Sequence, residues 1–480
     1  MTESGEVRTA KENILGTEKL WRLCLKMGLP CVLAQVVNLL YNIVDRIYIG
    51  NMPEGGSAAL AGLGLCAPVL TLIAAFSSFV SGGGAPLAAK ALGEGDAPRA
   101  KKILNNGAVL LVVFSVTLGL TAYLARKPIL VLIGADPETT YAYADEYLSV
   151  YLMGTLFVQL AVGLNTFLTA QGKSASAMIG VILGAALNIA LDPLFIFVFD
   201  MGITGAALAT VISQFASCVF VVAALSSRKI TLNLSFPDMR PDLKVLGGIF
   251  GLGLAPFVMA ATESVIGFVL NGRLKYYGDL DGNGMGDMHV STLAILQSVM
   301  MLITVPIQGF TQGVTPIISY NFGAKNKKRL KTAYFIMLAV SWGYCCLSAV
   351  MMMIFPRFFG RMFTPDEGLL ALTEKYLPVF VSGMLIFGIQ RACQTTFVAM
   401  TEAKISLFIA VLRKIILLVP LAFVLPLFFG VSGVYIAECV ADATAATLCA
   451  LIFFLRFRVV LRRMDDGKKD IAETSETEAV

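Results

Sequence analysis

Residues 175–199, ASAMIGVILGAALNIALDPLFIFVF, contain one charged residue, Asp192, in an otherwise mainly apolar run. A helix needs about 20 mainly apolar residues to cross the hydrocarbon core of a bilayer. This run is long enough to do so, and similar runs recur along the whole chain. We predict about twelve spans, at residues 25–50, 59–80, 103–125, 146–170, 175–199, 203–226, 245–271, 291–318, 332–356, 372–399, 404–428 and 431–456. The predicted fold is therefore all-α, a polytopic membrane protein with about twelve transmembrane helices in two pseudo-symmetric six-helix lobes.

The composition also favours a membrane protein over a soluble one. The 480 residues are 57% hydrophobic and only 14% charged, and the mean hydropathy is +0.78. A soluble domain carries about 25% charged residues. The sequence has no basic stripe with interleaved aromatic residues, so we expect no nucleic-acid partner.

Metal and thiol chemistry receive little support from the sequence. The nine cysteines are scattered, mostly in apolar runs, which is typical of small buried hydrophobic residues. The single histidine, His289, is predicted to lie in a polar loop. We therefore expect neither a multi-histidine metal site nor a histidine-based catalytic triad.

The positions of Lys and Arg predict the orientation, because these residues concentrate in cytoplasmic loops. With a cytoplasmic N-terminus and alternating spans, the cytoplasmic segments hold Arg8, Lys11, Lys19, Arg22, Lys26, Lys90, Arg99, Lys101, Lys102, Lys173, Arg228, Lys229, Arg240, Lys244, Lys325, Lys327, Lys328, Arg329, Lys331, Lys404 and the basic residues of 456–469. The opposite loops hold Arg126, Lys127, Arg273, Lys275, Arg357, Arg361 and Lys375. We therefore expect a multi-pass plasma-membrane protein with both termini in the cytoplasm and the loop 276–290 outside.

The N-terminal segment Met1–Gly16 lacks the short apolar core of a cleavable signal. We therefore expect the first span to remain in the protein as an anchor.

The sequence repeats after six spans. Related motifs occupy equivalent places in the two halves: 28–30 and 253–256 at spans one and seven, 92–96 and 322–326 after spans two and eight, and 169–173 and 400–404 after spans four and ten. Because six is even, both halves enter the membrane from the same side, as in many secondary transporters. We predict a cytoplasmic N-terminal tail (1–22), an N-lobe (23–228), a cytoplasmic linker (229–244), a C-lobe (245–456) and a cytoplasmic C-terminal tail (457–480).

Ionisable residues at membrane depth are candidate functional groups, because a charge in lipid is unfavourable. Asn188 and Asp192 are four residues apart and so share a helix face. Pro193 cannot donate a hydrogen bond to the carbonyl of Ile189. Carboxylate, amide and carbonyl oxygens together suit a hard cation, and a carboxylate can equally take a proton. The alternative is that Asp192 only forms a hydrogen bond across helices. The other ionisable residues within the spans are Asp45, Glu263, Arg391, Arg413, Lys414, Glu438 and Asp442.

A nucleotide site is not expected. Residues 171–174, QGKS, resemble the end of a phosphate-binding loop, but Phe167 stands where that motif requires glycine. We expect no nucleotide partner, no ATP hydrolysis and no cofactor.

Several stretches together resemble the multidrug and toxic compound extrusion (MATE) family, in its MepA-like branch. They are residues 41–50, 85–100, 164–173, 188–195, 205–214, 316–325 and 413–420. With the repeat, the resemblance covers nearly everything from Lys19 to Arg458.

This resemblance implies two six-helix lobes in a V shape. It implies a secondary active multidrug exporter that antiports organic, often cationic and amphiphilic molecules against Na⁺ or H⁺ by alternating access. The implied first-lobe ion site comprises Asp45, Asn188, Asp192 and Thr210, and these residues would hold Na⁺ if Na⁺ is the coupling ion. The candidate substrate-binding residues are Tyr41, Asn165, Asn38, Glu263 and Arg413. The partners would be drug-like molecules and the lipid bilayer, and we expect a monomer that is not an enzyme.

The repeat favours the first lobe as the place of ion coupling. Asp45 aligns with Asn271, and Asp192 aligns with the apolar run around Phe423, so only the first lobe has both acids. Two carboxylates that face each other in a low-dielectric cavity cannot both stay charged at low free energy. One of them must bind a proton, or a cation must neutralise the pair.

Two other functions remain open at this point. A lipid-linked oligosaccharide flippase of the same superfamily would favour a large, strongly basic cavity, for which Arg391, Arg413 and Lys414 are the candidates. A membrane acyl or glycosyl transferase would need a catalytic histidine or clustered acids in interfacial loops, and His289 stands alone.

Overall fold

The computed structural model describes residues 13–53, 55–134, 136–137, 139–227, 230–282 and 284–477. The predictions made for residues 1–12 and for Arg228 and Lys229 lie outside this part of the chain. Within it the chain is helical, with no β-strand. The helices are α1 (Ile14–Thr17), α2 (Leu20–Gly50), α3 (Gly56–Gly93), α4 (Ala97–Ile133), α5 (Tyr141–Met153), α6 (Thr155–Ala170), α7 (Ser174–Pro193), α8 (Gly202–Ser226), α9 (Leu243–Asp281), α10 (Met285–Gly323), α11 (Lys327–Ile354), α12 (Pro356–Arg361), α13 (Glu367–Ser382), α14 (Met384–Ala399), α15 (Ala403–Val411), α16 (Val419–Phe429) and α17 (Val431–Thr477).

The long apolar helices confirm the predicted fold class. Among the described residues, ten helices are long and apolar enough to cross a membrane, and the number rises to twelve if each of two bent pairs is one span. Helices satisfy their backbone hydrogen bonds internally, which a segment in lipid must do.

The two bent pairs are α5–α6 and α13–α14, which correspond to the predicted spans 146–170 and 372–399. The bend is 58° between α5 and α6 and 40° between α13 and α14. Gly154 lies at the first break, where a Cβ atom would be only 2.5 Å from a methyl carbon of Val211. Gly383 lies at the second, where a Cβ atom would be 3.0 Å from that of Asp442. A glycine at each break therefore lets a neighbouring helix approach closely.

The chain forms two compact units. The first unit contains residues 26–261, and the second contains the described residues up to Leu25 together with those from Thr262 onward. This boundary falls within α9, whereas the predicted C-lobe starts at residue 245. The start of α9 packs on α3 in the first unit, where the rings of Phe79 and Phe250 are 4.9 Å apart. The predicted lobe bounds stay a prediction. The sequence suggests a lobe boundary at a polar linker, whereas the two compact units are divided according to how the helices pack.

Each unit has its own buried apolar core. The core of the first unit contains, among others, Ile49, Leu63, Leu148 and Ile203. That of the second contains, among others, Leu274, Leu296, Phe380 and Tyr435.

The predicted polar loop around His289 is wrong. Helix α10 already begins at Met285, and His289 is buried within it, 2% exposed. Its Nδ1 lies 3.1 Å from the hydroxyl of Tyr435. The polar residues of this segment pair with one another: Gly286 N–H donates to Asp279 Oδ1 at 3.1 Å. These contacts allow α9 and α10 to extend beyond their apolar runs. A hydropathy profile alone does not show this extension.

Candidate functional site

A cluster of polar side chains lies inside the first unit, on α7 and α8. Asn188 and Asp192 share a face of α7 and are 2% and 0% exposed. The Asn188 amide Nδ2 donates to Asp192 Oδ1 at 3.1 Å and to Thr210 Oγ1 at 3.4 Å. Thr210 in turn donates its hydroxyl hydrogen to the carbonyl of Ala206 at 3.1 Å. The fold thus brings together three of the four residues that the resemblance assigns to the ion site.

The fourth residue, Asp45, comes from α2 and is also buried, 8% exposed. It is close enough to Asp192 for the two carboxylates to interact electrostatically. Arg46, which follows it in the chain, is exposed and also acts on its charge. The structure therefore joins both predicted acids in one region of the first unit.

Three oxygen atoms of this cluster have no hydrogen-bond donor within the described part of the chain. They are Asp45 Oδ1, Asn188 Oδ1 and Asp192 Oδ2, and all three are shielded from solvent. Buried oxygens nearly always have a partner, so a set without one calls for a ligand or a proton. Oxygen atoms of this kind can hold a hard monovalent cation, and either carboxylate can instead take a proton.

Tyrosine side chains border the two aspartates. Tyr41, one turn before Asp45 on α2, lies within electrostatic range of both carboxylates. Tyr147 on α5 lies within range of Asp45 and Tyr41, and it stacks on Tyr151 with ring centroids 5.9 Å apart. Tyr147 and Tyr151 are not among the site residues that the sequence predicts. Their spacing of four residues was the available signal, since it places both rings on one helix face.

The remaining first-lobe candidates are less closely tied to the aspartates. Asn165 lies half-buried in α6, and its Oδ1 lacks a hydrogen-bond partner among the described residues. Asn38 lies on the exposed side of α2, and its carbonyl accepts a hydrogen bond from Asn42 Nδ2 at 2.6 Å. Their assignment to a substrate site stays a prediction.

A π-helical segment, Leu194–Val198, follows Pro193 directly. The N–H of Leu194 donates to the carbonyl of Leu191, and that of Phe199 donates to the carbonyl of Leu194. The regular α-helical ladder is therefore interrupted next to Asp192. Such interruptions occur often at functional sites.

The ionisable residues of the second unit form ion pairs instead. Arg413 Nε lies 2.6 Å from Asp442 Oδ1. Lys414 Nζ lies 3.3 Å from Glu263 Oε1 and 3.7 Å from Glu438 Oε1. Arg413 and Lys414 belong to a second π-helical segment, Leu412–Leu418, between α15 and α16. The sequence identified these residues as candidates but not as partners, because up to 151 residues separate them along the chain.

The two sites thus differ in charge balance. Asp192 is hydrogen-bonded to the neutral amide of Asn188, and Asp45 lies next to the exposed Arg46, whereas the second-unit carboxylates form ion pairs with a guanidinium and an ammonium group. In the part of the chain that the structure describes, no group of three or more His, Cys, Asp or Glu side chains could hold a metal ion. A cation in the first unit would therefore depend on two carboxylates and neutral oxygens.

Comparison with known proteins gives consistent matches. The sequence profile of the MatE family matches residues 30–194 and 282–424. The chain is 27% identical, over 91% of its length and 94% of the relative's, to the multidrug export protein MepA of Staphylococcus aureus (strain NCTC 8325 / PS 47). It is 25% identical, over 92% and 95% of the two lengths, to MepA of Staphylococcus haemolyticus (strain JCSC1435).

Solved structures share the fold. An outward-facing multidrug resistance MATE family transporter of the MOP superfamily superposes with a TM-score of 0.85, at 22% identity over 96% of this chain and 99% of that one. A MOP superfamily transporter from Pyrococcus furiosus, described as having a binding pocket of reverse polarity, gives the same TM-score at 23% identity, over 96% and 99% of the two chains.

Proposed function

Because the chain belongs to the MatE family, we propose that it is a secondary active multidrug exporter of the plasma membrane. It moves organic, often cationic and amphiphilic, small molecules out of the cell in exchange for Na⁺ or H⁺. Members of this family are transporters and not enzymes, so a membrane transferase is set aside. The many apolar helices and the relatives named MepA support export across a bilayer.

The observation that carries the ion-coupled part of the proposal is the buried polar cluster of the first unit. Two buried acids, Asp45 and Asp192, interact electrostatically, and each keeps an oxygen without a donor among the described residues. A pair of this kind has a low free energy only when a proton or a cation reduces its charge. It can therefore exchange a coupling ion for a positively charged substrate.

The exchange follows from the charge of the pair. While both carboxylates are charged, they attract a cationic substrate. When a proton or Na⁺ binds, this attraction falls and the substrate is released. Ion and substrate then weaken each other's binding by equal factors, as linkage requires. Alternating access of the two halves would expose the cluster first to one side of the membrane and then to the other.

The oligosaccharide flippase is the second candidate, and the second unit argues against it. Such a protein would need a strongly basic cavity, but Arg413 and Lys414 are neutralised by Asp442, Glu263 and Glu438.

The proposal is tested with purified protein in liposomes loaded with ethidium. A Na⁺ gradient and a pH gradient are imposed separately, and dye movement is followed by fluorescence. We expect movement with at least one gradient and none without a gradient. Dye movement that is independent of both gradients would contradict ion-coupled export.

A further inference from the structure

Lys414 occupies an unusual position in the second unit. Its ammonium group lies between two carboxylates, 3.3 Å from Glu263 Oε1, 3.4 Å from Glu263 Oε2 and 3.7 Å from Glu438 Oε1. The side chains of Lys414 and Glu438 are 8% and 5% exposed, whereas that of Glu263 is 59% exposed. The lysine is therefore held between one buried acid and one accessible acid.

Among the described residues, Lys414 is the cation in ion-pair contact with both acids. Arg413 pairs directly with Asp442 at 2.6 Å, and its charge acts on Glu438 and Glu263 from a greater distance. Arg391 lies within electrostatic range of Arg413 and adds a further positive charge. With three acids and three bases, the cluster is balanced without an ion from solution.

An ammonium group is a compact, strongly hydrated point charge. An ammonium group between two carboxylates carries the same charge as a bound monovalent metal ion and occupies a similar position. The first unit offers the contrast, because Asp192 accepts a hydrogen bond from a neutral amide and one oxygen of each aspartate has no donor among the described residues.

We propose that the ammonium group of Lys414 is a built-in cation that fills the acidic site of the second unit and closes it to Na⁺. Glu263 and Glu438 are the carboxylate ligands of this site. The lysine thereby acts as a specificity-determining residue, since it restricts binding of an inorganic cation to the first unit. Removal of the ammonium group should open a Na⁺ site that the parent protein does not offer.

The experiment measures Na⁺ binding to the purified full-length protein in detergent. Asp45→Asn serves as the background, so that the first-unit site does not contribute. Binding is followed with ²²Na⁺ and by the thermal unfolding midpoint in NaCl against N-methyl-D-glucamine chloride at equal ionic strength. Lys414→Met is added to remove the charge while keeping the length of the side chain, and Lys414→Arg is the matched control that keeps the charge.

We expect Lys414→Met to gain a single Na⁺ ion and a Na⁺-specific rise of the unfolding midpoint. The background and the Lys414→Arg protein should show neither effect. Adding Glu263→Gln to Lys414→Met should abolish the gain. A lysine with only a structural role would lower the unfolding midpoint equally in both salts, and a folded Lys414→Met protein without Na⁺ binding overturns the proposal.

Loss of the lysine leaves Glu438 buried without a counter-charge, and this can prevent folding. In that case the double change Lys414→Met and Glu438→Gln is measured, which keeps Glu263 and an amide oxygen as ligands. Lack of Na⁺ binding by this protein also overturns the proposal. This result can be separated from the proposed function. If the parent and the Asp45→Asn protein bind Na⁺ equally, that counts against the first-unit site. The comparison between Lys414→Met and Lys414→Arg still tests the role of the lysine.

Discussion

Replacement of Asp192 by asparagine should abolish ion-coupled export while the protein still folds. Asparagine has nearly the same shape, and its side-chain oxygen can still accept the hydrogen bond from Asn188 Nδ2, which is 3.1 Å long in the structure. The change therefore removes one negative charge, and one site for a proton, with little effect on packing.

The magnitude follows from the burial of Asp192. The residue is 0% exposed, so water and salt screen its charge only weakly. At about 4 Å and an effective dielectric constant of about 20, one unit charge contributes about 4 kcal/mol to the binding of a monovalent cation. Since about 1.4 kcal/mol changes a dissociation constant tenfold, the cation should bind about a thousandfold more weakly. Coupling to H⁺ should be lost as well, because the amide cannot bind the proton.

The assay is dye export from liposomes under the Na⁺ or pH gradient that drives the parent protein. Asp45→Asn should behave like Asp192→Asn, and Glu263→Gln is the matched change in the second unit, where the effect should be milder. Size-exclusion chromatography and thermal unfolding show whether each protein is folded. The reasoning fails if Glu263→Gln abolishes export while both aspartate variants keep their ion dependence within about threefold of the parent.

Three further predictions concern the ligand shell, the energy source and the topology. Asn188→Ala and Thr210→Ala should each weaken the ion dependence by about fivefold, because each removes one neutral ligand and a hydrogen bond is worth about 1 kcal/mol. An ion titration of dye export measures this, and an unchanged midpoint in both would count against the cluster. Dye export by purified protein in liposomes should proceed on an ion gradient without ATP, and a strict need for added nucleotide would refute this. In a cysteine-free background, Asn283→Cys should react with an impermeant thiol reagent in intact cells and Ser475→Cys should not; labelling at Ser475 would overturn the predicted orientation.

The amino-acid sequence alone determines the class of fold and the list of candidate residues. Apolar runs of about 20 residues specify membrane helices locally, because lipid leaves the backbone no other partners. Acids within such runs are candidate functional groups because a charge in lipid is unfavourable. Asp45 and Asp192 are therefore recognisable without any knowledge of their neighbours. The four-residue spacing of Asn188 and Asp192 also predicts their common helix face, which the structure shows as a direct hydrogen bond.

Tertiary structure alone decides which of these residues meet and what neutralises them. The close approach of other helices to Gly154 and Gly383, the burial of His289 and the approach of Tyr147 to Asp45 each involve a neighbouring helix that is distant in sequence. The same holds for Lys414, whose two acidic partners come from other helices. Hydropathy and helical periodicity report only the environment along one segment, whereas a side chain's partners depend on how separate helices pack. The sequence therefore identifies acids in both halves, but only the packing shows that Asp45 and Asp192 interact with each other and that the acids of the other half are paired with Arg413 and Lys414.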